Sequence, residues 1–517
     1  MAGLWASFTA PTSVNADTML LLTDGSVLVH DADQTTDSNN RITSGGKNWY
    51  RLTPSADGKY ATGHWSGALP MRNAREYFGS GILRDSRVFV VGGEYSDAFN
   101  QDGCMLGELF DPQTNTWSKL NKPSPEFDYI TGDGPSCILA DGRVLFGGIN
   151  DTQTAIWNPV ADQWLHAGRG FNPAGLDSKT SSSSEETWTL LPDKSVLTVN
   201  VANPNHAQRY DPARDLWVDA GQTPQNLVVQ SINGANVSEI GPAVLMMNGK
   251  VLAIGGTGHT AIFDPALPSA NAWSKGPDLP ADASNSLAPD GLYTVIDGAA
   301  CVLPSGKLLL VAGKTIAETD NGVTSYWSNP TIFFEFDPAT FNPASPGTLS
   351  QLAKQPPNNG ADCWESSLLL LPNGQVLYSS QQNPIGVYTP DSAESTPQPS
   401  WRPTISSFPS TIKVGQTYTL TGTQLNGLSQ ANSYGDDRQM ATNWPLVRVT
   451  DKSGTISYLP TSKFSSMGVA TGTTPQSSNV FVAKQSQSGS RLTAGAYTLV
   501  VVANGITSVP MSVAITI

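Results

Sequence analysis

A turn between two apolar strands recurs seven times along the chain. The turn segments begin at Thr23, Arg84, Ala140, Pro192, Met247, Pro304 and Pro372, and successive segments are 61, 56, 52, 55, 57 and 68 residues apart. Five of the segments place glycine after Asp, Asn or Ser, which is typical of a tight turn between strands. A repeat of this length predicts a propeller blade. We therefore expect an all-β fold that contains a seven-bladed β-propeller around one central axis.

Each repeat also carries a signal that ends a strand. An aromatic residue followed by Asp-Pro, as in GELFDP (107–112), closes the strand because proline cannot donate a hydrogen bond to the ladder. A tryptophan follows in five repeats, at Trp65, Trp117, Trp164, Trp217 and Trp273. The N-terminal segment LWASFTA has Trp5 in the same context. We expect this segment to complete the last blade, which would remove an exposed sheet edge.

The sequence pattern changes after Pro390. Residues 391–401 are polar and rich in proline, which is typical of a linker. From residue 402 onward, short alternating strands predict an immunoglobulin-like β-sandwich. We therefore expect a propeller over residues 1–390, a linker over 391–401 and an immunoglobulin-like (E-set) sandwich over 402–517.

Charge and hydropathy argue against several kinds of partner. The 517-residue chain has a net charge of −14, whereas binding to phosphates requires lysine and arginine, so nucleic acid and an anionic membrane are not expected. No apolar run reaches the roughly 18 residues that a membrane span needs. The N-terminal MAGLWASF is too short and too polar for a signal peptide. We nevertheless expect a monomer in the extracellular space or periplasm, exported by another route or beginning at its mature end.

The four cysteines match no zinc-binding spacing. Cys137 and Cys301 lie in predicted inner strands and are expected to be buried free thiols. A disulfide between Cys104 and Cys363 is possible, but the sequence alone does not give the distance between the two residues.

The combined pattern resembles a known superfamily. Kelch-type blades followed by a sandwich that opens with Arg-Pro-Thr-Ile look like the galactose oxidase and glyoxal oxidase superfamily of copper-radical enzymes. The chain is more closely similar to bacterial kelch-repeat proteins of that architecture. The segments NAREYFGSGILRDSRVFVVGG (73–93) and FSSMGVATG (464–472) carry the resemblance best, and it covers nearly the whole chain. It implies chemistry at the mouth of the central funnel, where each innermost strand begins.

The resemblance also implies a set of copper ligands, and the sequence departs from that set. Tyr77 matches the tyrosine that such enzymes crosslink to a cysteine, but Thr18 stands at the cysteine position. Trp364 and Glu365 replace a Tyr-His pair, and no histidine follows His259 in the chain. Copper(II) in such a site needs imidazole and phenolate ligands. We therefore predict that the chain is not a copper-radical oxidase, and copper is not expected.

All seven repeats have an acidic residue at the funnel position, six to eight residues before the turn. These residues are Asp17, Glu76, Asp133, Glu185 with Glu186, Glu239, Asp297 and Glu365. Loops expected on the same face add Asp31, Asp33, Glu94, Asp97, Asp102, Asp151, Glu318 and Asp320. In a crowded group of carboxylates, one carboxyl group can stay protonated and act as an acid while its neighbour acts as a base. Such a group can also coordinate Ca²⁺ or another divalent cation, or bind an organic cation. Some of them could instead only cap strand ends.

Two function classes follow from this pattern. The first is an acid–base enzyme of the hydrolase, lyase or cyclase type, acting on a small polar, sugar-like or cationic substrate. Its leading catalytic candidate is Glu365, with Asp297 and Glu239 as partners on one side of the funnel or Glu185, Glu186 and Asp133 on the other. Glu76 and Asp17 complete the set of catalytic candidates. The second class is a module that binds a glycan, peptide or cation without catalysis. The residues expected to contact a small-molecule or glycan ligand are Tyr77, Trp364, Arg75, His206 and His259. The enzyme is favoured, because crowded acids are costly to the fold and such strain is more often kept for chemistry.

Overall fold

The computed structural model describes residues 3–11, 14–36, 42–97, 104–121, 131–288, 290–320, 322–342, 344–391, 396–430, 432–433, 442–484 and 491–517. Antiparallel strands dominate this part of the chain, so the all-β prediction is confirmed. The helices in it are three-residue 3-10 turns at Ser269–Asn271, Pro338–Thr340, Cys363–Glu365 and Pro399–Trp401. None of the helices in the described ranges is long and apolar enough to cross a membrane.

Each repeat turn lies between the first two strands of its own antiparallel sheet, and we number the sheets 1 to 7 after their repeats. Sheet 1 contains Ala16–Leu21, Val27–Asp31, Trp49–Thr53 and His64–Trp65. Sheet 2 contains Gly79–Ile82, Val88–Val91, Gly107–Asp111 and Thr116–Leu120. Sheet 3 contains Ser136–Ile138, Val144–Gly147, Thr154–Asn158 and Gln163–Ala167. Sheet 4 contains Thr189–Leu190, Val196–Val199, His206–Asp211 and Leu216–Gln222.

The remaining three sheets follow the same order. Sheet 5 contains Ala243–Leu245, Val251–Ile254, Thr260–Phe263 and Trp273–Lys275. Sheet 6 contains Ala300–Val302, Leu308–Asp320, Val323–Phe336 and Leu349–Gln351. Sheet 7 contains Ser367–Leu370, Val376–Ser379, Ile385–Thr389 and, from the N-terminus, Leu4–Phe8. The first two strands of these sheets are mostly buried, apart from the exposed end of Leu308–Asp320 in sheet 6.

The N-terminal strand completes sheet 7. Leu4–Phe8 pairs antiparallel with Ile385–Thr389, which is the pairing that the LWASFTA segment predicts. The Trp5 ring packs against Phe333 of sheet 6, with ring centroids 4.7 Å apart. The N-terminal strand is therefore the fourth strand of sheet 7 and pairs with the edge that Ile385–Thr389 would otherwise leave open.

The C-terminal region forms two further sheets around an apolar core that includes Ile412, Leu420, Val447 and Leu499. One sheet contains Thr404–Ser407, Thr417–Thr423, Gln476–Phe481 and Thr461–Ser462. The other contains Thr411–Lys413, Met511–Thr516, Gly495–Ala503, Leu446–Thr450, Ile456–Leu459 and Ile506–Thr507. Asn432–Ser433 leaves this region and pairs with Ala300–Val302 as a fifth strand of sheet 6.

The C-terminal sheets pack against the repeat turns. The backbone N–H of Ile456 donates to the Ala56 carbonyl at 2.7 Å, and Arg84 Nε donates to the Phe464 carbonyl at 2.7 Å. Gly25 of the first turn has φ +78, and a Cβ there would lie 2.5 Å from the Tyr458 ring. The turn end of the sheets is therefore covered, and the opposite end of the innermost strands is the end that remains for a site.

That opposite end carries short hairpins. Arg75–Glu76 pairs with Tyr95–Ser96, Val229–Ile232 pairs with Ala235–Glu239, and Thr35–Thr36 pairs with Ile42–Ser44. The long strands of sheet 6 also extend past their neighbours, since they pair with each other as far as Asp320 and Val323.

The four cysteines are all free and buried. The thiols of Cys137 and Cys301 lie in innermost strands as predicted, and burial raises the pKa of Cys137 to about 12. The disulfide that the sequence left open between Cys104 and Cys363 is not formed.

Candidate functional site

A cavity of about 220 Å³ lies at the hairpin end of the innermost strands. Five carboxyl groups, four aromatic rings and one isoleucine line it. We call it the acidic cavity, and its lining residues are Ile42, Tyr77, Glu94, Tyr95, Asp133, Glu185, Glu239, Asp297, Trp327 and Trp364. Within the described ranges, none of these lining side chains is basic, and none is an imidazole or a thiol.

Three of the predicted funnel acids come together in this cavity. Glu185, Glu239 and Asp297 each present a carboxylate oxygen, and these oxygens lie within 4.8 Å of one another. We call these three residues the carboxylate cluster. They stand just before the innermost strands of sheets 4, 5 and 6, so three adjacent sheets supply one residue each. Glu239 and Asp297 are each 8% exposed, whereas Glu185 is half-buried.

The backbone at the funnel positions turns into the left-handed region. Tyr77, Glu185 and Asp297 have φ values of 49°, 59° and 54°, and each stands seven residues before its repeat turn. This conformation is uncommon for residues other than glycine, particularly for Glu and Tyr, and it is retained where the surrounding structure enforces it. The same local bend therefore directs three different side chains into the cavity.

The aromatic residues form a continuous wall on one side of the cavity. The Tyr95 and Tyr77 ring centroids are 5.9 Å apart, those of Tyr77 and Trp364 are 5.9 Å apart, and those of Trp364 and Trp327 are 6.0 Å apart. We call these four residues the aromatic wall. The edge-on contacts between Tyr77 and its two neighbours are favourable for aromatic rings and hold the wall together.

Two glutamines hold the Tyr77 hydroxyl in place. Gln34 Nε2 donates to the Tyr77 oxygen at 3.1 Å, and Gln381 Nε2 donates to it at 3.2 Å. The two amide groups also contact each other at 3.2 Å. The phenol oxygen thus accepts two hydrogen bonds from the loops that follow the second strands of sheets 1 and 7, which fixes the ring at the centre of the aromatic wall.

A separate apolar cluster positions Glu239 and Trp327. Val229, Ile232, Ile296 and Tyr326 pack together between the Val229–Glu239 hairpin and the extended strands of sheet 6. Trp327, which is partly buried, packs against the same cluster. The two hairpins therefore support each other through buried apolar contacts. We call these four buried residues the hairpin cluster.

Glu186 does not line the acidic cavity, although the sequence placed it beside Glu185. Its side chain is fully buried and forms an ion pair with Lys179 Nζ at 2.9 Å. It also accepts hydrogen bonds from Trp188 Nε1 at 3.0 Å and from Asn200 Nδ2 at 2.8 Å. Glu186 is therefore a structural residue, because the left-handed turn at Glu185 directs the next side chain into the interior.

Asp17 and Glu76 form a second group with His30 inside the fold. His30 Nδ1 lies 3.4 Å from Asp17 Oδ2 and 3.9 Å from Glu76 Oε1, and all three residues are buried. The other imidazole nitrogen lies 3.1 Å from the Gly46 carbonyl oxygen. These two predicted funnel acids are thus placed around a histidine and not along the lining of the acidic cavity.

Glu365, the leading catalytic candidate from the sequence, has a local structural contact. It ends the 3-10 helix Cys363–Glu365, and its Oε2 accepts from the backbone N–H of Asp362 at 2.8 Å. It is not among the cavity-lining residues, whereas its neighbour Trp364 is. The expectation that Glu365 leads the chemistry is therefore not supported by its position.

Three predicted substrate contacts also lie elsewhere. Arg75 is buried and donates to Glu108 Oε1 at 3.2 Å, not to the adjacent Glu76. His206 lies 3.2 Å from Asp219, which is a surface carboxylate. His259 lies between two carboxylates, Asp278 and Asp290, each at 2.9 Å. Tyr77 and Trp364 are the two predicted contacts that do line the cavity.

The acidic residues predicted in the loops of the same face also differ in whether they line the cavity. Glu94 lines the cavity, whereas Asp33, Asp97 and Asp151 are exposed. Burial raises the pKa of Asp31 and of Glu318, and the charge of Asp362 adds to the effect on Glu318. Burial likewise raises the pKa of Asp362 itself. Asp102 and the side chain of Asp320 lie outside the described residues.

Sequence reasoning did not identify Ile42, Tyr95 or Trp327 as cavity residues. Trp327 had a usable signal, because Asn-Gly at 321–322 inside the alternating segment 314–329 is typical of a hairpin turn. Tyr95 and Ile42 lie in two-residue and three-residue strands of short hairpins, which have no comparable signal.

Comparison with known proteins supports the architecture. The chain matches no protein-family profile. It is 23% identical over 344 residues to a galactose oxidase of Gibberella zeae, covering 66% of this chain and 40% of that protein. It is 28% identical over 101 residues to an F-box/kelch-repeat protein of Arabidopsis thaliana, covering 19% of this chain and 23% of that one. The chain thus spans about two fifths of the length of the galactose oxidase that it matches.

A solved structure gives the same result for the fold. A fungal alcohol oxidase of the AA5 family, in complex with copper, superposes with a TM-score of 0.53 at 16% identity, over 100% of both chains. Similarity at this level of identity concerns the fold alone. Together with the sequence matches, it shows that the chain has a kelch-type, galactose oxidase-like architecture.

Proposed function

We propose that sheets 1 to 7 are the blades of one seven-bladed propeller over residues 1–390, and that residues 402–517 form an immunoglobulin-like (E-set) sandwich after the linker 391–401. The strand order within each sheet and the N-terminal strand in sheet 7 support this arrangement. The acidic cavity then lies at the mouth of the central funnel. A monomer in the extracellular space or periplasm remains our prediction.

We propose that the protein is an enzyme that performs acid–base chemistry on a small substrate in the acidic cavity. The observation that carries this proposal is the carboxylate cluster, whose three oxygens lie within 4.8 Å of one another. Carboxylates this close repel one another when all are ionised, and this repulsion favours retention of a proton among them. A neutral carboxylic acid beside a carboxylate supplies both an acid and a base.

The difference in burial supports a division of roles within the carboxylate cluster. Glu239 and Asp297 are each 8% exposed, so their charged forms lose more hydration than that of half-buried Glu185. The retained proton therefore belongs on Glu239 or Asp297, which would donate it to a leaving or acceptor atom of the substrate. Glu185 would remove the second proton from the substrate or from an attacking water. The left-handed backbone of Glu185 and Asp297 holds the two groups in this relation.

The cavity does not fit the copper of the related oxidases. Copper(II) prefers imidazole together with phenolate or thiolate ligands. Among the described lining residues, Tyr77 and Tyr95 supply phenols, but the other potential ligands are carboxylates. His30 is held inside the fold by Asp17 and Gly46. Copper therefore has no part in the proposed chemistry.

A divalent cation such as Ca²⁺ is the second candidate, because the carboxylate cluster has three convergent carboxylates. Ca²⁺ takes roughly six to eight oxygen ligands, of which these three residues could supply several. Binding of Ca²⁺ without turnover would make the protein a binding module and not an enzyme.

The proposed chemistry can be tested by substrate screening. Purified protein would be incubated with a library of small polar, sugar-like and cationic compounds, and products would be detected by mass spectrometry. Glu239→Gln removes an ionisable group without changing its size, so we expect at least about a hundredfold loss of turnover, the usual scale for a general acid or base. Asp85→Asn, in an exposed repeat turn, is the matched control and should retain full activity. Turnover that is equal in Glu239→Gln and wild type would contradict the proposal.

A further inference from the structure

We propose that the acidic cavity selects an organic ammonium ion as its substrate, an inference that rests on the proposed function of the same cavity. The observation that carries it is the combination of the aromatic wall with five lining carboxyl groups in one small cavity. The carboxyl groups favour a positive charge, and the aromatic faces favour a cation whose charge is covered by carbon.

The residues that line the cavity favour an organic ammonium ion over a neutral sugar. A neutral sugar stacks on tryptophan, but it brings no charge to a cavity lined by Glu94, Asp133 and the carboxylate cluster. Within the described residues, no lysine, arginine or histidine is part of the lining. Electrostatic complementarity therefore favours a ligand that is itself positively charged.

The geometry of the cavity also favours an organic cation over a metal ion. A bare divalent cation would engage the carboxylate cluster, yet it would leave the aromatic wall without a role. The aromatic wall is continuous, because each ring lies 5.9 to 6.0 Å from the next. An alkylammonium group uses both features, since rings within about 6 Å of a cation attract it and the carboxylates neutralise its charge.

The size of the cavity limits the ligand to a small molecule. Its volume is about 220 Å³, which lies below the usual range of roughly 300 to 1,000 Å³ for ligand pockets. A compact ammonium compound with one or two polar groups fits this size better than a polymer does. The aromatic wall would hold the ammonium group and direct a neighbouring carbon or oxygen toward the carboxylate cluster.

Isothermal titration calorimetry with matched probes tests the inference. Choline is compared with 3,3-dimethyl-1-butanol, which has the same shape with carbon in place of nitrogen, and with CaCl₂. We expect choline to bind at least about tenfold more tightly than its neutral analogue, since a desolvated cation–π contact contributes on the order of 1–2 kcal/mol. Trp327→Leu should weaken choline binding about tenfold, whereas Trp327→Phe, which keeps an aromatic face, should retain most of it.

Three results would overturn the inference: equal binding of choline and its neutral analogue, unchanged choline binding in Trp327→Leu, or saturable binding of Ca²⁺ but not of choline. Circular dichroism of each variant shows whether the fold is retained, and Trp364→Leu provides a second removal of the aromatic wall. The proposed chemistry fails separately. If choline binds as expected but Glu239→Gln has wild-type turnover, the acid–base proposal is wrong and the ligand class stands.

Discussion

Glu185 and Glu186 are neighbours in the chain, yet their carboxylates lie in different environments. Glu185 lines the acidic cavity, whereas Glu186 is buried against Lys179 and accepts hydrogen bonds from Trp188 and Asn200. Burial lowers the pKa of Lys179, and the Glu186 charge opposes that effect. Replacing one member of a buried ion pair is strongly destabilising, because the charge of the other member then remains buried without a partner. The cavity-lining Glu185 is, by contrast, half-buried.

The different environments of Glu185 and Glu186 give a prediction at the residue scale. Glu186→Gln should lower the free energy of unfolding by about 3 kcal/mol or more, since Lys179 would lose its counter-ion. Glu185→Gln should change it by less than about 0.5 kcal/mol, because Glu185 is half-buried and belongs to a group of like charges. Urea unfolding followed by tryptophan fluorescence measures both values. Equal destabilisation by the two variants would show that the two glutamates do not have the separate roles assigned to them.

The sequence placed acids at the funnel positions but did not separate the cavity residues from the structural ones. Alternation along a strand predicts which side chains share a face, but Glu185 and Asp297 precede their strands in the left-handed conformation. Such single-residue turns interrupt the alternation. They decide whether a carboxylate faces the cavity, as Glu185 does, or the interior, as Glu186 does.

At the scale of elements, two hairpins assemble one side of the site. The Val229–Ile232 and Ala235–Glu239 pair ends at Glu239, and the extension of sheet 6 carries Trp327. The hairpin cluster of Val229, Ile232, Ile296 and Tyr326 joins them. The hairpins lie beyond the four-stranded sheets, and the cluster gives them buried apolar contacts.

Removal of the hairpin cluster should therefore affect the cavity more than the fold. Tyr326→Ala truncates a side chain that is 7% exposed, and we expect the two hairpins to lose about 3 kcal/mol of local stability, the lower end of the range for replacing a buried aromatic residue by alanine. Hydrogen–deuterium exchange should increase in residues 229–239 and 314–329, while the innermost strands of sheets 1 to 3 keep their protection. The exposed residue Val323, changed to Ala, is the matched control in the same hairpin. Uniform loss of protection in Tyr326→Ala would contradict a local role for the cluster.

The repeat turns and strands were predictable from sequence because each repeat has a local signal, as at Gly25. The extension of sheet 6 also had a local signal, because Asn-Gly at 321–322 is typical of a hairpin turn. The repeat that contains it is 68 residues long, which is longer than the other repeats. The hairpin cluster had none. Ile232, Ile296 and Tyr326 are far apart in the chain, and their contact depends on the arrangement of sheets 5 and 6.

On the scale of the whole molecule, the two ends of the sheets have different environments. The C-terminal sheets cover the repeat turns through contacts such as Met467 N–H to the Ala140 carbonyl at 2.9 Å. Leu190 N–H donates to Gln430 at 3.1 Å, and Asn432–Ser433 adds a strand to sheet 6. The acidic cavity occupies the other end. The change of pattern after Pro390 predicted a second β-rich region, but the surface that it covers was not predictable, because those contacts join residues hundreds of positions apart.

The central claim is that Glu185, Glu239 and Asp297 share a retained proton, and infrared spectroscopy of their carboxyl groups tests it directly. The carboxylic acid C=O band would be compared at pH 7 in wild type, Glu239→Gln and Asp85→Asn. Asp31, Glu318 and Asp362, whose pKa values burial raises, contribute equally to all three spectra, so the difference spectra isolate the cluster. We predict a band in wild type and Asp85→Asn that loses intensity in Glu239→Gln, because one carboxylate fewer then opposes the ionisation of Glu185 and Asp297. Identical bands in wild type and Glu239→Gln would contradict the account.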